Sequence, residues 1–183
     1  QREAAGVSVP TLGTLTSSMV LEGPLRVGGM VQPKVEPEMA VILARSLSDA
    51  ALSDEDIDQS IGSIHAGLEI VDSRYPDPEF VPADAVADNG SARQVLWSPV
   101  ARVLAEISMS EEEVTFSVSG QGSQRGSGSV LMGDPLIVVR EAVREILRWG
   151  FLLPAGAVIF SGNLVERALP VQAGGVVTAD FCT

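Results

Sequence analysis

The sequence contains few of the side chains used in nucleophilic or redox chemistry. It has one cysteine, Cys182, and one histidine, His65. A single cysteine cannot form a disulfide within the chain, which favours a reducing, cytoplasmic location. A lone histidine with one remote cysteine also excludes the usual constellations of cysteine and serine hydrolases. We expect His65 to lie at the surface or in the last turn of a helix rather than to bind a metal.

Basic residues are also scarce, with 12 lysines and arginines against 24 acidic residues and a net charge of −12. Nucleic-acid-binding domains have the opposite balance, so the composition excludes a nucleic-acid partner. We interpret the acidic excess as a solvated surface. The uncharged run at 149–165 is interrupted by proline and glycine, so we expect no membrane association.

The remaining composition is that of a folded domain. Apolar residues make up 45% of the 183 residues, and 18 glycines with 11 prolines are many for a helical bundle. We expect a single domain over residues 1–183. The chain begins with Gln1 and ends at Thr183 within a strand-like pattern, so we expect N-terminal and C-terminal segments of a longer protein to be missing.

Hydrophobic periodicity predicts an α+β, β-rich fold, in which short strands dominate and two or three helices pack on the sheet. The predicted strands are 31–44, 68–71, 103–108 and 114–119, with two more between 157 and 180. The predicted helices are 53–66, about 91–97 and 135–149. The first helix rests on a capping Ser53 and the stripe Ile57, Ile61 and Ile64. Residues 72–88 are predicted to form a loop and 120–128 a flexible turn.

The segment Glu36-Pro37-Glu38 lies on the first predicted strand. Residues i and i+2 of a strand point to the same face, about 6.6 Å apart, so both carboxylates project together. A divalent cation such as Mg²⁺ or Mn²⁺ would offset their repulsion. The alternative is a pair on an exposed strand edge, neutralised by Arg45 or Lys34, and the pattern alone favours that alternative.

A third carboxylate strengthens the metal hypothesis. Glu69 stands between Leu68 and Ile70 in a short apolar run, where an acid is uncommon unless it has a partner. Three acids from two strands would form an open metal site. Asp72, three residues further on, would orient Arg74 or a metal-bound water, and an ion pair between Asp72 and Arg74 is an equally good interpretation.

Six segments together resemble one family in order along nearly the whole chain. They are VQPKVEPEMAVIL at 31–43, GLEIVDSR at 67–74, ADNGS at 87–91, GSGSVLMGDPL at 126–136, VIFSGNL at 158–164 and ALPVQAGG at 168–175. The sequence resembles the 2-keto-4-pentenoate hydratase and 4-oxalocrotonate decarboxylase group of the fumarylacetoacetate hydrolase superfamily. The paired glutamates with LEIVDSR are the specific part of this resemblance.

The resemblance implies a β-roll with a mixed, barrel-like sheet and a homo-oligomer. It also implies a Mg²⁺ or Mn²⁺ site formed by Glu36, Glu38 and Glu69. The implied substrates are 2-oxo acids or their dienols, whose enolate the metal stabilises during water addition or decarboxylation. Residues matching the family's substrate pocket are Ser91, Ser161 and Gly162, and Lys34 is a further substrate-binding candidate.

The sequence departs from the family at the residues that transfer protons. The family's lysine, in a YK-x-G segment, would precede Gln1, and its aspartate position is occupied by Thr11. A threonine hydroxyl cannot exchange a proton near neutral pH as a carboxylate does. The family's SGALT becomes SGNLV, with Val165 in place of a hydroxyl. Thr11, as the altered position, and Asp72 are the catalytic candidates.

These departures leave three hypotheses. The first is a divalent-metal lyase or hydratase acting on a 2-oxo acid. The second is a repurposed cyclase or isomerase, of cycloaddition type, that folds a polyketide-like substrate in the inherited pocket. The third is a non-catalytic subunit that stabilises an active relative.

Overall fold

The computed structural model of the chain describes residues 11–76 and 81–182. The described strands are β1 (Lys34–Leu43), β2 (Ile61–Val71), β3 (Ala92–Trp97), β4 (Glu113–Val118), β5 (Gly122–Ser127), β6 (Val158–Phe160), β7 (Leu169–Pro170) and β8 (Val177–Phe181). The described α-helices are α1 (Asp54–Asp58), α2 (Pro82–Ala87) and α3 (Pro135–Arg148). None of these helices is long and apolar enough to cross a membrane. The expected strand-rich α+β fold is therefore confirmed, and the expectations about Gln1 and Thr183 lie outside the described residues.

The strands form two sheets. The first has the order β3-β2-β1-β6, with β7 also paired to β1, and the second has the order β5-β4-β8. The named strands pair antiparallel, and an isolated bridge between Val20 and Val95 is parallel. Strand β1 is central because it pairs with β2 along its whole length and with β6 and β7 on its other edge.

One face of β1 packs into the main hydrophobic core. Alternate residues of β1 join a cluster with residues of β4 and α3; the cluster includes Val35, Met39, Val41, Leu43, Phe116 and Val139. Since successive strand residues point to opposite faces, Glu36 and Glu38 lie on the other side of this strand. The core therefore fixes which way the acidic pair projects.

Helix α3 forms as its sequence predicts. The Asp134 side chain accepts a hydrogen bond from the Leu136 backbone N–H at 2.9 Å, and Pro135 occupies the first turn. The expected inward stripe is buried at Val139, Val143 and Leu147. These local signals agree with the tertiary packing, so the prediction is confirmed.

The predicted helix over 53–66 is wrong after its first turn. Helix α1 ends at Asp58, and the chain continues from Ile61 as the eleven-residue strand β2. A single helical turn is unstable alone, whereas pairing with β1 gives β2 a full ladder of hydrogen bonds. His65 accordingly lies buried within β2, and its expected position at a helix end is also wrong.

Two further segments differ from their predictions. The helix predicted at about 91–97 is wrong: residues 92–97 form strand β3, because they extend the first sheet beside β2. Part of the predicted loop 72–88 forms helix α2, which has a proline in its first turn. A proline is tolerated there because the N–H groups of the first turn have no hydrogen-bond partner within the helix. Propensity alone cannot indicate that an open sheet edge is available to residues 92–97.

The predicted strand at 103–108 is replaced by a short 3₁₀ segment at Leu104–Glu106. Strand β4 instead pairs with β5, which lies within the segment predicted to be a flexible turn. The connection between the two strands is short, at 119–121, and two glycines with positive φ lie in it or directly after it, Gly120 and Gly122. The glycine-rich composition of β5 concealed its strand character.

Candidate metal centre

The register of β1 and β2 brings three glutamates together. Glu36 and Glu38 share one face of β1, and Glu69 lies directly opposite Glu36 on β2. One carboxylate oxygen from each lies within 4.8 Å of the others. Among the described residues, these three glutamates form the group of acidic, histidine or cysteine side chains that lie close enough together to bind one metal ion.

These carboxylates are held in an environment that opposes their ionisation. Burial, and then the charge of Glu69, raise the pKa of Glu36 to about 7, which Lys34 partly offsets. Burial raises the pKa of Glu38 well above its usual range, and the charges of Glu69 and Glu36 add to this effect. Burial also raises the pKa of Glu69, although a hydrogen bond with Glu38 opposes the shift. A divalent cation fits this cluster, because it would offset the repulsion between the carboxylates and prefers oxygen ligands of this kind.

The end of β6 orients Glu38. Its Oε2 accepts a hydrogen bond of 2.7 Å from the Gly162 N–H, and Gly162 has a φ of +99°, which favours glycine. The adjacent Ser161 is buried, and its Oγ accepts a hydrogen bond from the Met39 N–H at 3.0 Å. The same hydroxyl lies 3.2 Å from the Gly162 carbonyl, to which it donates. The structure therefore places both predicted pocket residues beside Glu38, with the Ser161 hydroxyl bonded to the backbone.

Asp72 fixes the segment that precedes β1. Its Oδ1 accepts hydrogen bonds from the backbone N–H groups of Val31 and Gln32, at 3.0 and 2.8 Å. The alternative of an ion pair between Asp72 and Arg74 is wrong, because Arg74 instead contacts Asp88 at 3.4 Å. Arg74 also donates to the carbonyls of Asp88 and Ala92, so most of its hydrogen bonds serve the adjacent turn.

The turn at Asp88–Ser91 joins several predicted residues. Ser91 Oγ donates to Asp88 Oδ2 at 2.7 Å, and the Ser91 carbonyl accepts from the Asp72 N–H. Burial opposes ionisation of Asp88, but hydrogen bonds from Ser91 and Arg74 outweigh it and lower its pKa. Ser91 thus lies in a rigid turn at the end of the sheet that carries the glutamates.

Asn89 in this turn was missed by the sequence analysis. Its Oδ1 accepts from the Thr14 N–H at 2.7 Å, and its Nδ2 donates to the Thr14 carbonyl at 3.0 Å. This two-point contact holds the segment that begins with Thr11, which is itself exposed. Asn89 has a φ of 57°, and asparagine before glycine is a signal for such a left-handed turn.

Lys34 and His65 flank the glutamates along the same sheet face. Lys34 lies two residues before Glu36 and is half-buried. His65 lies opposite Ala40, and its ring nitrogens contact Ser63 Oγ and the Ser98 carbonyl, each at 2.8 Å. Because a carbonyl only accepts, Nδ1 carries a proton and donates it to the Ser98 carbonyl, while Nε2 shares a hydrogen bond with the Ser63 hydroxyl. His65 therefore has two polar partners of its own, apart from the glutamates.

The comparison with known protein families decides the relationship. The model described as fumarylacetoacetate (FAA) hydrolase C-terminal matches residues 7–182. The chain belongs to the fumarylacetoacetate hydrolase family. The resemblance predicted from the six segments is thereby confirmed.

Relatives within the fumarylacetoacetate hydrolase family include hydratases and decarboxylases. The chain is 31% identical over 176 residues to the 2-keto-4-pentenoate hydratase of Paraburkholderia phymatum, covering 95% of this chain and 67% of the relative. It is 30% identical over 159 residues to a 4-oxalocrotonate decarboxylase of a Pseudomonas species, covering 86% of this chain and 61% of the relative.

A solved structure of this family has the same fold. The 4-oxalocrotonate decarboxylase from Pseudomonas putida G7, complexed with magnesium and adipate, superposes with a TM-score of 0.89 at 26% identity. The superposition covers 98% of this chain and 69% of that one. The chain thus spans about two thirds of the length of these relatives.

Proposed function

We propose that the chain is a divalent-metal-dependent lyase that acts on a 2-oxo acid or its dienol, by hydration or decarboxylation. The observation that carries this proposal is the convergence of Glu36, Glu38 and Glu69 on one face of paired strands. The similar proteins support it, since they are named as hydratases and decarboxylases, and one was solved with magnesium. Among the relatives described above there is no cyclase or non-catalytic subunit, so the similarity favours the lyase hypothesis.

The three glutamates would hold Mg²⁺ or Mn²⁺. When bound, the ion supplies Lewis-acid polarisation of the substrate carbonyl, which favours the enolate needed for either reaction. The chain's own contribution is to orient the ligands: the Gly162 N–H fixes one oxygen of Glu38, and the β1–β2 register fixes Glu69 opposite Glu36.

The remaining predicted residues would bind the substrate or position other parts of the site. Lys34 offers a positive charge to a substrate carboxylate on the glutamate face, and Ser91 offers a hydroxyl at the end of the sheet. Asp72 acts by positioning, because its Oδ1 holds the backbone of 31–32 in front of β1. Thr11 can hydrogen-bond to substrate or water, but its hydroxyl does not ionise near neutral pH.

We also propose a homo-oligomer, a cytoplasmic location and a single domain over residues 1–183. The resemblance to the family supports the oligomer, and the single Cys182 supports a reducing compartment.

The test of the proposed function is the decay of dienol absorbance with Mg²⁺, alongside an assay of CO₂ release from a 2-oxo diacid. We expect turnover with Mg²⁺, none in EDTA, and loss of turnover in Glu36→Gln and Glu69→Gln. Glu166→Gln is the matched control, because Glu166 is exposed and lies outside the cluster. Full activity in EDTA, or in Glu69→Gln, would refute the proposal.

A further inference from the structure

The glutamate face of the first sheet continues into an aromatic region. The strand registers define three rows across this face. Glu36, Glu69 and Val95 form the first row, and Glu38, Gly67 and Trp97 form the second. The third row contains His65, Ala40 and Phe160. Trp97 thus shares the row of Glu38, and Phe160 lies in the next row on the same side of the sheet.

Gly67 leaves room for the Phe160 ring. A Cβ at position 67 would lie 2.9 Å from Phe160 Cε1, closer than real Cβ contacts allow. The Phe160 ring therefore lies over the sheet at Gly67, beside Glu38. Its neighbour Ala40 is completely buried, whereas Phe160 itself is only half-buried, so the ring covers the sheet while one side stays accessible.

Trp97 fixes the position of this ring. The centroids of Trp97 and Phe160 are 6.3 Å apart, with their planes at 68°, an edge-to-face contact. The pair bridges from β3 to β6 across the two strands that carry the glutamates. We name Trp97 and Phe160 the aromatic wall.

The two ends of the glutamate face differ in polarity. Beyond Glu36 lies Lys34, and the chain after β2 continues into Asp72, which is bonded to Ser91. At the other end, Trp97 lies in the row of Glu38 and Gly67, and Phe160 lies in the next row. His65 is also in that row, but both of its ring nitrogens already contact Ser63 and Ser98, so the aromatic wall is the free surface there. A substrate with a charged head and an apolar tail matches this gradient in one orientation, with its tail toward Phe160.

We propose that Phe160 sets the length of carbon chain that the site accepts, and that Trp97 is the positioning residue for its ring. This inference rests on the proposed function and names the preferred substrates as short-chain 2-oxo acids. Gly67 and Glu69 are about 6.6 Å apart along β2. Glu38 lies directly opposite Gly67, so a chain that leaves the cluster in this direction meets the ring at once, since apolar atoms stay about 3.5–4.0 Å apart.

The experiment measures binding rather than turnover. Saturated 2-oxo acids of about four to about ten carbons are titrated in the presence of Mg²⁺, with calorimetry and Trp97 fluorescence as readouts. The chain has two tryptophans, and Trp149 is 58% exposed, so Trp149→Phe isolates the Trp97 signal. We expect the protein with Phe160 and Trp97 intact to bind the shortest acids most tightly. Its affinity should fall about tenfold or more once a further methylene clashes with Phe160.

We expect removal of the Phe160 ring to change how affinity depends on the chain length of the acid. Phe160→Ala is expected to shift the preferred length toward longer acids and to raise their affinity about fourfold for each methylene that occupies the space of the ring. Phe160→Leu keeps an apolar side chain in the core and gives a smaller shift in the same direction, which keeps the test valid if Phe160→Ala does not fold. Phe151→Ala is the matched control, because Phe151 is 63% exposed.

Two results would contradict the inference. Mg²⁺-dependent binding with the same length profile in Phe160→Ala and Phe160→Leu would overturn the role of the aromatic wall and leave the proposed function intact. If none of these acids showed Mg²⁺-dependent binding to the unsubstituted protein, the proposed function would fail and this inference with it.

Discussion

Glu38 is the most deeply buried of the three clustered acids, at 2% exposure, and its surroundings show what a sequence can and cannot reveal about this site. Strand alternation alone predicts that Glu36 and Glu38 share a face. The third ligand candidate, Glu69, came from the apolar run around it and from the family resemblance. The Gly162 N–H that fixes Glu38 lies 124 residues away in the sequence, and no local pattern indicates that contact.

The buried carboxyl groups predict an unusual pH dependence for the metal-free protein. Glu36 has a pKa of about 7 in the folded chain against an ordinary value of 4.5. Between these values the unfolded chain releases the proton while the folded chain retains it. The free energy of unfolding in EDTA should therefore decrease as the pH rises from about 5 to about 7, by up to about 3 kcal/mol from Glu36 alone, and the raised pKa values of Glu38 and Glu69 add to this decrease. Urea titrations across this range measure the effect.

The control for this prediction is a pair of substitutions. Glu36→Gln should make the decrease smaller, because the neutral amide does not titrate while Glu38 and Glu69 still do, and Glu166→Gln should leave the decrease unchanged. Asp88 contributes the opposite sign, but its lowered pKa confines that contribution to more acidic conditions. Stability that increases from about pH 5 to about pH 7 in EDTA would be inconsistent with buried, protonated glutamates.

At the scale of elements, the sequence predicted those segments whose local signals agree with their packing. Helix α3 has a cap, a proline in its first turn and an apolar stripe, and all three are satisfied in the structure. The isoleucines at 57, 61 and 64 mimic the same stripe, yet only Ile57 lies in a helix. Ile61 and Ile64 lie in β2 because this segment pairs with β1 over its whole length. That pairing depends on residues about 20 to 40 positions away, which a local helical pattern does not reflect.

The turn that contains Asn89 predicts a local change in dynamics. Asn89→Gly removes both hydrogen bonds to Thr14 and remains compatible with the positive φ of this position. Hydrogen exchange of the Thr14 amide should become about tenfold faster, as expected for one lost hydrogen bond. Mass spectrometry of the peptide that contains Thr14 measures this.

Asn163→Gly is the matched control, because the Asn163 Oδ1 accepts from the Val165 N–H at 3.1 Å. It should accelerate exchange at Val165 and leave Thr14 unchanged. Equal exchange at Thr14 with and without the Asn89 side chain would show that other contacts hold the 11–14 segment.

At the scale of the whole molecule, the family resemblance predicted the strand-rich fold more completely than periodicity did. Strands β3 and β5 were assigned to other structures, since glycine and polar residues obscure their alternation. The net charge of −12 also includes acidic side chains that do not belong to the solvated surface. Three of the acidic residues lie together on one face of β1 and β2, where their repulsion opposes folding unless a cation is present.

Metal binding should therefore stabilise the entire fold. A ligand that binds only the folded chain at about 100 times its dissociation constant adds about 2.7 kcal/mol to the free energy of unfolding. For a chain of this size, the melting temperature should rise by about 5–10 °C with Mg²⁺. Scanning calorimetry with Mg²⁺ and with EDTA measures the shift, and Glu38→Gln should abolish most of it. An equal shift in Glu38→Gln would indicate that Mg²⁺ acts elsewhere on the acidic surface.

The most direct measurement of the central claim is the binding of Mn²⁺, followed by the electron paramagnetic resonance signal of the free ion. We expect one tightly bound Mn²⁺ per chain, competition by Mg²⁺, and an affinity at least about tenfold lower in Glu36→Gln and Glu69→Gln but not in Glu166→Gln. Mn²⁺ binding of equal strength and stoichiometry in all of these proteins, or none in the unsubstituted chain, would contradict the assignment of Glu36, Glu38 and Glu69 as a metal centre.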